Sequence, residues 1–338
     1  MPPAIRIRAG NPVYRSAVAL AVALPMATVP GCATVTSSPS PLLPDAVSGE
    51  RRAFSGRLGV LSYYVAGSQA TDAPPLLLIH SINAAGSAYE VRPLHEHYRT
   101  QRTVYSMELP GFGHSDRSDR NYSPRLMTDA ILEMVEEIRR RHGPVAIDAL
   151  ALSLSSEFLA RAASEAPDRF RSLALVSPTG FDKRAPWYGP DGGTRGKRWL
   201  YNTFTVGLWS RPFFDFLTSR RSVRFFLEKT WGARNIDEGL LEYDLLTTRD
   251  PGAHHAVYYF VSGYLFSADI TRVYESLPMP VWMSHGVRGD FTDYRHKAAF
   301  AGRPNWSFDV FQTGALPHFE VPDVFFARYD AFLRRRER

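Results

Sequence analysis

Val145-Ala146-Ile147-Asp148-Ala149-Leu150-Ala151-Leu152-Ser153-Leu154-Ser155 is a run apolar but for Asp148 that leads into a serine held between small residues, and its reading decides the fold. Gly143-Pro144 closes whatever precedes it, so Val145–Leu152 reads as a strand covered on both faces. The residues from about Leu154 to Glu165 then read as a helix. A nucleophile carried on a sharp strand-to-helix turn needs small residues two before and two after it, because the two backbones pass close together at the bend. Ala151 and Ser155 meet that need around Ser153, whereas Ser155 has Glu157 at the second position after it. Two glycines would be the usual flanks of such a turn, so a buried serine at a strand end is an equal reading of the motif alone.

The same grammar repeats on both sides. Upstream, Leu76-Leu77-Leu78-Ile79 after two prolines and Thr103–Met107 read as buried strands, with a helical segment around Tyr89–His97 between them. Ser123-Pro124 is an N-cap followed by Pro at the first helical position, and Leu126, Ala130, Met134 and Ile138 mark one face of that helix. Further upstream, Leu58, Val60 and Leu61–Val65 suggest a strand pair interrupted by Gly59. Downstream, Leu173–Val176, Val281–His285 and Trp306–Phe311 read as strands, and Phe325, Phe326, Tyr329 and Phe332 mark a last amphipathic helix. Strands alternating with helices imply an α/β fold, a mostly parallel sheet with helices on both faces. From about Lys183 to Glu275 the alternation stops and 19 aromatic residues accumulate, which predicts a helical insertion, a cap, within one sheet domain.

The ends of the chain read differently. Residues 1–32 hold no Asp or Glu but carry Arg6, Arg8 and Arg15 ahead of the apolar run Ala17–Leu24, which is too short to span a membrane. This reads as a secretory signal. The single cysteine, Cys32, lies in Val29-Pro30-Gly31-Cys32, which resembles the lipobox of bacterial lipoproteins, so an exported protein held to the membrane by lipid on Cys32 is expected. A plain cleaved signal and an uncleaved anchor are the alternatives. Residues 33–55, rich in Ser, Thr and Pro at their start, read as a tether. The expected organisation is therefore signal 1–32, tether 33–55, core 56–182, cap 183–275 and core again 276–338. Composition adds exclusions. The chain of 338 residues has a net charge of +6, which falls to +3 once the three arginines of 1–32 are removed, too weak a basic character to argue for nucleic acid. No Cys cluster or His-Glu-x-x-His motif argues for a metal, and the lone Gly111-Phe112-Gly113 is no dinucleotide cradle.

The chain resembles the alpha/beta-hydrolase superfamily over roughly 56–182 and 276–335. The residues that carry the resemblance are His80-Ser81, Glu108-Leu109-Pro110-Gly111-Phe112-Gly113-His114-Ser115, the Ser153 turn and Gly314-Ala315-Leu316-Pro317-His318. The family normally has His-Gly at the first and an initial Asp at the second; this chain departs from it at Ser81, Glu108, Ala151 and Ser155. The resemblance implies a cap-bearing serine hydrolase without a cofactor, in which Ser153 attacks an acyl carbon and His318 is the base. His254-His255 and His95/His97 are weaker choices for the base. Asp290 follows the strand where the superfamily usually carries its acid, with Asp293 and Asp182 as alternatives. Charge on the attacked carbonyl oxygen calls for backbone donors. Leu154 and Ile82 are expected to supply them, with Ser81 a second choice to Ile82, and Asn83 could add a side-chain donor. The expected reaction is cleavage of a small hydrophobic ester or acyl compound. Carbon–carbon bond hydrolysis or cofactor-free peroxide chemistry on the same triad is one alternative, and an inactive tethered binding protein is another.

Overall fold

Every apolar run singled out above has residues of alternating direction, and in the structure the alternation sorts them onto two faces of one sheet. The computed structural model describes residues 43–67, 72–184, 186–289 and 291–334. The expected signal, Cys32, the first part of the tether and Asp290 lie outside the described residues. In chain order the strands are β1 (Glu50–Gly56), β2 (Gly59–Ala66), β3 (Leu76–Ile79), β4 (Val104–Met107), β5 (Ile147–Leu152), β6 (Phe170–Val176), β7 (Val281–Gly286) and β8 (Trp306–Phe311). The helices are α1 (Arg92–Tyr98), α2 (Pro124–His142), α3 (Ser155–Glu165), α4 (Arg198–Phe204), α5 (Ser210–Leu217), α6 (Arg220–Trp231), α7 (Glu238–Thr247), α8 (Ala253–Val261), α9 (Ile270–Ser276), α10 (Pro317–Glu320) and α11 (Pro322–Arg334).

The strands form a single eight-stranded sheet in the order β1-β2-β4-β3-β5-β6-β7-β8. All pairs from β4 to β8 are parallel, while β1 and β2 run antiparallel at one edge. Leu77, Ile79, Ala149, Ala151, Leu173 and Leu175 point to one face, where Met127, Ile131, Met134 and Phe158 of α2 and α3 cover them. Leu76, Leu78, Leu150, Leu152, Ala174 and Val176 point to the other, against Leu94 and Tyr98 of α1 and Phe325, Tyr329 and Phe332 of α11. A period of two with both faces covered is why these strands are mostly apolar, β3 wholly so. Each large ring buried this way stabilises the fold by about 1.5–3 kcal/mol. Ser123 caps α2 by accepting from the Leu126 N–H at 3.2 Å. At the foot of the sheet, fully buried Asp148 accepts from Arg102 (2.6 Å), Arg171 (2.9 and 2.5 Å) and Ser172 (2.5 Å).

Two details differ from the sequence reading. Folded structure starts before Gly56: Leu43, Ala46 and Val47 are buried against Tyr64 and Tyr243, and β1 begins at Glu50, so residues 43–55 are part of the fold. The insertion between β6 and β7 is helical as expected, but many of its aromatics face outward. Trp199, Trp209, Phe216, Phe225 and Phe226 are all exposed. The insertion is rooted on two facing straps. Gly189 N–H donates to Ala268 O (2.8 Å), Arg195 N–H to Phe266 O (2.9 Å) and Lys197 N–H to Ser262 O (2.9 Å). Buried Glu157 of α3 locks the straps to the core, accepting from Arg195 (2.7 Å), the Ser267 N–H (2.8 Å) and Thr179 (2.5 Å). Among the described residues no helix is long and apolar enough to cross a membrane.

Candidate active site

Parallel strands deliver their C-terminal ends to one edge, where sites of such sheets collect. Ser153 sits there, between β5 and α3, with φ of 50°. A non-glycine residue rarely adopts this left-handed conformation, and it costs about 1–2 kcal/mol. The turn is held by the Ser153 N–H donating to Val176 O (2.8 Å) and by Ser156 Oγ–H donating to Ala151 O (3.2 Å). Ala151 and Ser155 are fully buried where the backbones pass, as the tight turn requires, while Ser153 remains partly exposed. Leu154 caps α3, and its N–H is one of the donors that a helix start leaves without an intrahelical acceptor.

The loop after β3 lies beside this turn in the sheet, because β3 pairs directly with β5. His80 is fully buried at its start. Its Nδ1 lies 2.6 Å from Ser81 O, and its Nε2 accepts from the Leu109 N–H at 3.1 Å. Those two bonds require the neutral ring with the proton on Nδ1, and burial pushes its pKa down to about 4. Ser81 and Asn83 are gathered around one buried carboxylate, Glu90, which the sequence reading did not single out. Glu90 accepts from the Ser81 N–H (2.6 Å), Ser81 Oγ–H (3.0 Å) and Asn83 Nδ2 (2.5 Å). Asn83 Oδ1 in turn accepts from the Ala85 N–H (2.6 Å). The Ser81 N–H is thus committed to Glu90, and the Asn83 amide is spent within the loop.

His318, expected to face Ser153, is fully buried and faces Glu90. Its Nε2–H donates to Glu90 O at 2.8 Å, its ring packs on Phe319 and Phe325, and its Nδ1 has no partner among the described residues. Burial pushes its pKa down to about 4. All ten histidines are described, and none shares a hydrogen bond with Ser153: His95 bonds Ser106, His255 bonds Arg117 O, and His285 lies between Gly286 O and Lys297. Neither alternative acid bonds His318. Asp182 accepts from the Arg184 N–H (2.7 Å), and Asp293 pairs with Arg295 (3.4 Å). The structure therefore brings Ser153, Leu154 and the Ser81–Asn83 loop to one edge but does not join Ser153 to His318. The loop carrying His318 is fastened to that edge one residue away from Val176, where Ser177, also at φ of 50°, donates its Oγ–H to Ala315 O (2.6 Å).

Two further carboxyls are buried near these elements. Asp244 of α7 is buried with Oδ1 unpartnered, and burial followed by the nearby Glu90 charge raises its pKa well above the usual carboxylate range. Glu108 follows β4, accepts the His114 N–H (2.8 Å), and is raised by burial to about 7. Gly113, at φ of 52°, passes so close to the Glu108 carboxyl that a Cβ there would force the carboxyl to move. Sequence gives little signal for Glu90 or Asp244, since an acidic residue in a short helix usually faces water. No group of three or more His, Cys, Asp or Glu among the described residues could hold a metal ion. A groove of about 500 Å³ on the cap, lined by Arg211, Asp215, Arg220, Glu242 and Arg249, includes none of the residues of this edge.

Comparison with known proteins agrees with this architecture. Residues 74–198 match the model of the alpha/beta hydrolase fold family. A stretch of 114 residues is 31% identical to a (lyso)-N-acylphosphatidylethanolamine lipase from Bos taurus, covering 33% of this chain and 32% of that protein, so the match spans about a third of that relative's length. Among solved structures, a probable hydrolytic enzyme from Pseudomonas aeruginosa PAO1 superposes with a TM-score of 0.64 at 17% identity, over 86% of this chain and 96% of that one. A carboxylesterase from Bacillus subtilis superposes with a TM-score of 0.62 at 18% identity, over 85% and 92%. The sheet order, the strained serine between β5 and α3 and the helical insert between β6 and β7 together identify the chain as one with the alpha/beta-hydrolase fold.

Proposed function

We propose that this protein is a serine hydrolase that cleaves a carboxylic ester or related hydrophobic acyl compound at Ser153. The observation that carries the reading is the strained, partly exposed Ser153 at the start of a helix. Ser153 Oγ would attack the acyl carbon, and the N–H groups of Leu154 and Ile82 would receive the charge developing on the carbonyl oxygen. Ser81, whose N–H is held by Glu90, would position that loop rather than bind the oxyanion. The serine proton must pass to a base. For His318 to take it, the imidazole must leave Glu90 O and turn a deprotonated nitrogen to Ser153, with Asp290 balancing the resulting charge. Water then releases the acid from the acyl-enzyme. The carboxylesterase and lipase named above support the ester class. Export by residues 1–32, with lipid on Cys32, belongs to the same proposal and rests on sequence alone.

A second reading is favoured by one observation, the burial of His318 on Glu90: an acyl-binding protein that does not turn over. Labelling with a fluorophosphonate probe separates the two. The hydrolase reading expects labelling of the wild type that is lost in Ser153→Ala and strongly reduced in His318→Gln, with folding intact by circular dichroism. A folded wild type that stays unlabelled refutes it in favour of binding. Labelling that persists in His318→Gln removes His318 as the base.

A further inference from the structure

We propose that the cap carries a membrane-docking face, formed by α4, the turn Val206–Trp209, α5 and α6, that seats on the surface of an anionic phospholipid bilayer. Large apolar side chains are exposed at thirteen described positions, and seven of them, Trp199, Val206, Leu208, Trp209, Phe216, Phe225 and Phe226, fall within residues 199–226. Leu208 is 82% exposed, Trp199 68% and Phe216 67%, values that a surface facing only water does not favour for such side chains. The segments pack on one another: Phe204 of α4 and Phe213 of α5 stack with ring centroids 4.5 Å apart. Trp209 Nε1–H donates to Thr203 O at 2.8 Å, so the polar atom of the indole is satisfied inside the protein and what remains outward is its apolar part. That arrangement suits a ring entering the lipid interface, where unsatisfied polar groups are costly.

Charge selects the occupant. From Lys197 to Arg234 the chain holds eight basic and two acidic residues. Arg211, Arg220 and Arg224 pair with Asp215, Glu242 and Glu238. Lys197, Arg198, Arg221, Lys229 and Arg234 have no carboxylate in ion-pair range among the described residues, and the first four flank the apolar side chains directly. Short helices with outward Trp, Phe and Leu beside unpaired Arg and Lys are the pattern of segments that lie in the plane of an anionic membrane surface. The docking face is drawn from residues 197–229 alone and is independent of whether Ser153 is reactive.

The test uses the full chain with vesicles of phosphatidylcholine, with and without phosphatidylglycerol, and lipids brominated on the acyl chain to quench tryptophans that enter the interface. The expected results are tryptophan quenching in the wild type and stronger partition with phosphatidylglycerol. Leu208→Ser/Trp209→Ser should weaken partition by roughly tenfold or more. Arg198→Glu/Arg221→Glu should weaken it on phosphatidylglycerol vesicles alone, by about fivefold per residue or more. All four side chains are at or near the surface, so the variants keep the fold. Sedimentation with vesicles that is unchanged in both variants and unaccompanied by quenching overturns the proposal, since the N-terminal segment would then be the anchor. A concentration-dependent dimer dispersed by Leu208→Ser/Trp209→Ser, with no quenching by brominated lipid, overturns it too and identifies a second copy of the chain as the occupant.

Discussion

Replacing Ser153 with glycine should stabilise the protein relative to replacing it with alanine. Both variants remove the hydroxyl, so they differ in the backbone term and a single methyl. At φ of 50° an L-residue carries about 1–2 kcal/mol of steric cost that glycine does not. Glycine gives back roughly 0.5–1 kcal/mol through the larger entropy of its unfolded chain. The net expectation is that Ser153→Gly exceeds Ser153→Ala by about 0.5–1 kcal/mol, or about 2 °C in Tm for a domain of this size. The sign should reverse inside α3, where Ala160→Gly costs about 1 kcal/mol from helix propensity alone. Urea denaturation of the three variants, followed by far-ultraviolet circular dichroism, measures the differences directly. Ser153→Gly no more stable than Ser153→Ala would refute the argument that this turn stores strain to hold the serine.

Asp244→Asn should gain stability over the wild type as pH rises. The carboxyl is raised in the folded state, so the unfolded chain releases its proton first, and stability drains away from about pH 4 upward until the folded group titrates. The difference between the two proteins in denaturant midpoint, which should be larger at pH 8 than at pH 5, checks this. His318→Gln should act in the opposite window: a depressed histidine loses stability as pH falls from about 6.5 toward 4, so the variant's acid limb should be flatter in thermal scans. Asp148→Ala leaves the Arg102 and Arg171 charges without their carboxylate and should cost about 3–5 kcal/mol in chemical denaturation. Asn83→Ala removes a donor from Glu90 and the acceptor of the Ala85 N–H; fluorophosphonate labelling of Ser153 should slow roughly tenfold, with faster hydrogen exchange at Ser81 and Ile82.

The sheet was legible because its signal is local. Leu76–Ile79 is apolar at every position and Ile147–Leu152 at every position but Asp148, as a strand covered on both faces needs, and Ser123-Pro124 marks a helix start through two adjacent residues. The elbow was legible for the same reason, since Ala151 and Ser155 lie two residues either side of Ser153. What was not legible depends on groups far apart in the chain. His318 lies at the right end of the sheet, yet the direction of its ring is set by a carbonyl 228 residues away, at Glu90. The Ser81 N–H is lost as an oxyanion donor to the same residue. Glu90 and Asp244 read as ordinary polar positions because nothing nearby in sequence announces their burial. The cap aromatics were countable, but whether Phe216 or Phe225 faces inward depends on how short helices pack, and their spacing does not say.

Glu157 sets the terms on which anything can reach Ser153. It belongs to the helix that begins just after Ser153, yet its carboxylate is the joint that fastens both roots of the cap. Swinging the whole cap aside from its roots would strand this buried negative charge and pull Arg195 away from it. Bending at residues 187–197 would therefore break the Glu157–Arg195 contact along with the strap hydrogen bonds. Beyond Lys197, α4 and α5 lie outside the main core, whereas α6 and α7 share one core cluster with α1 and α11 through Leu227, Trp231, Leu240 and Leu241. The insertion is thus a short visor, α4 and α5, on a frame that Glu157 fastens to the sheet domain.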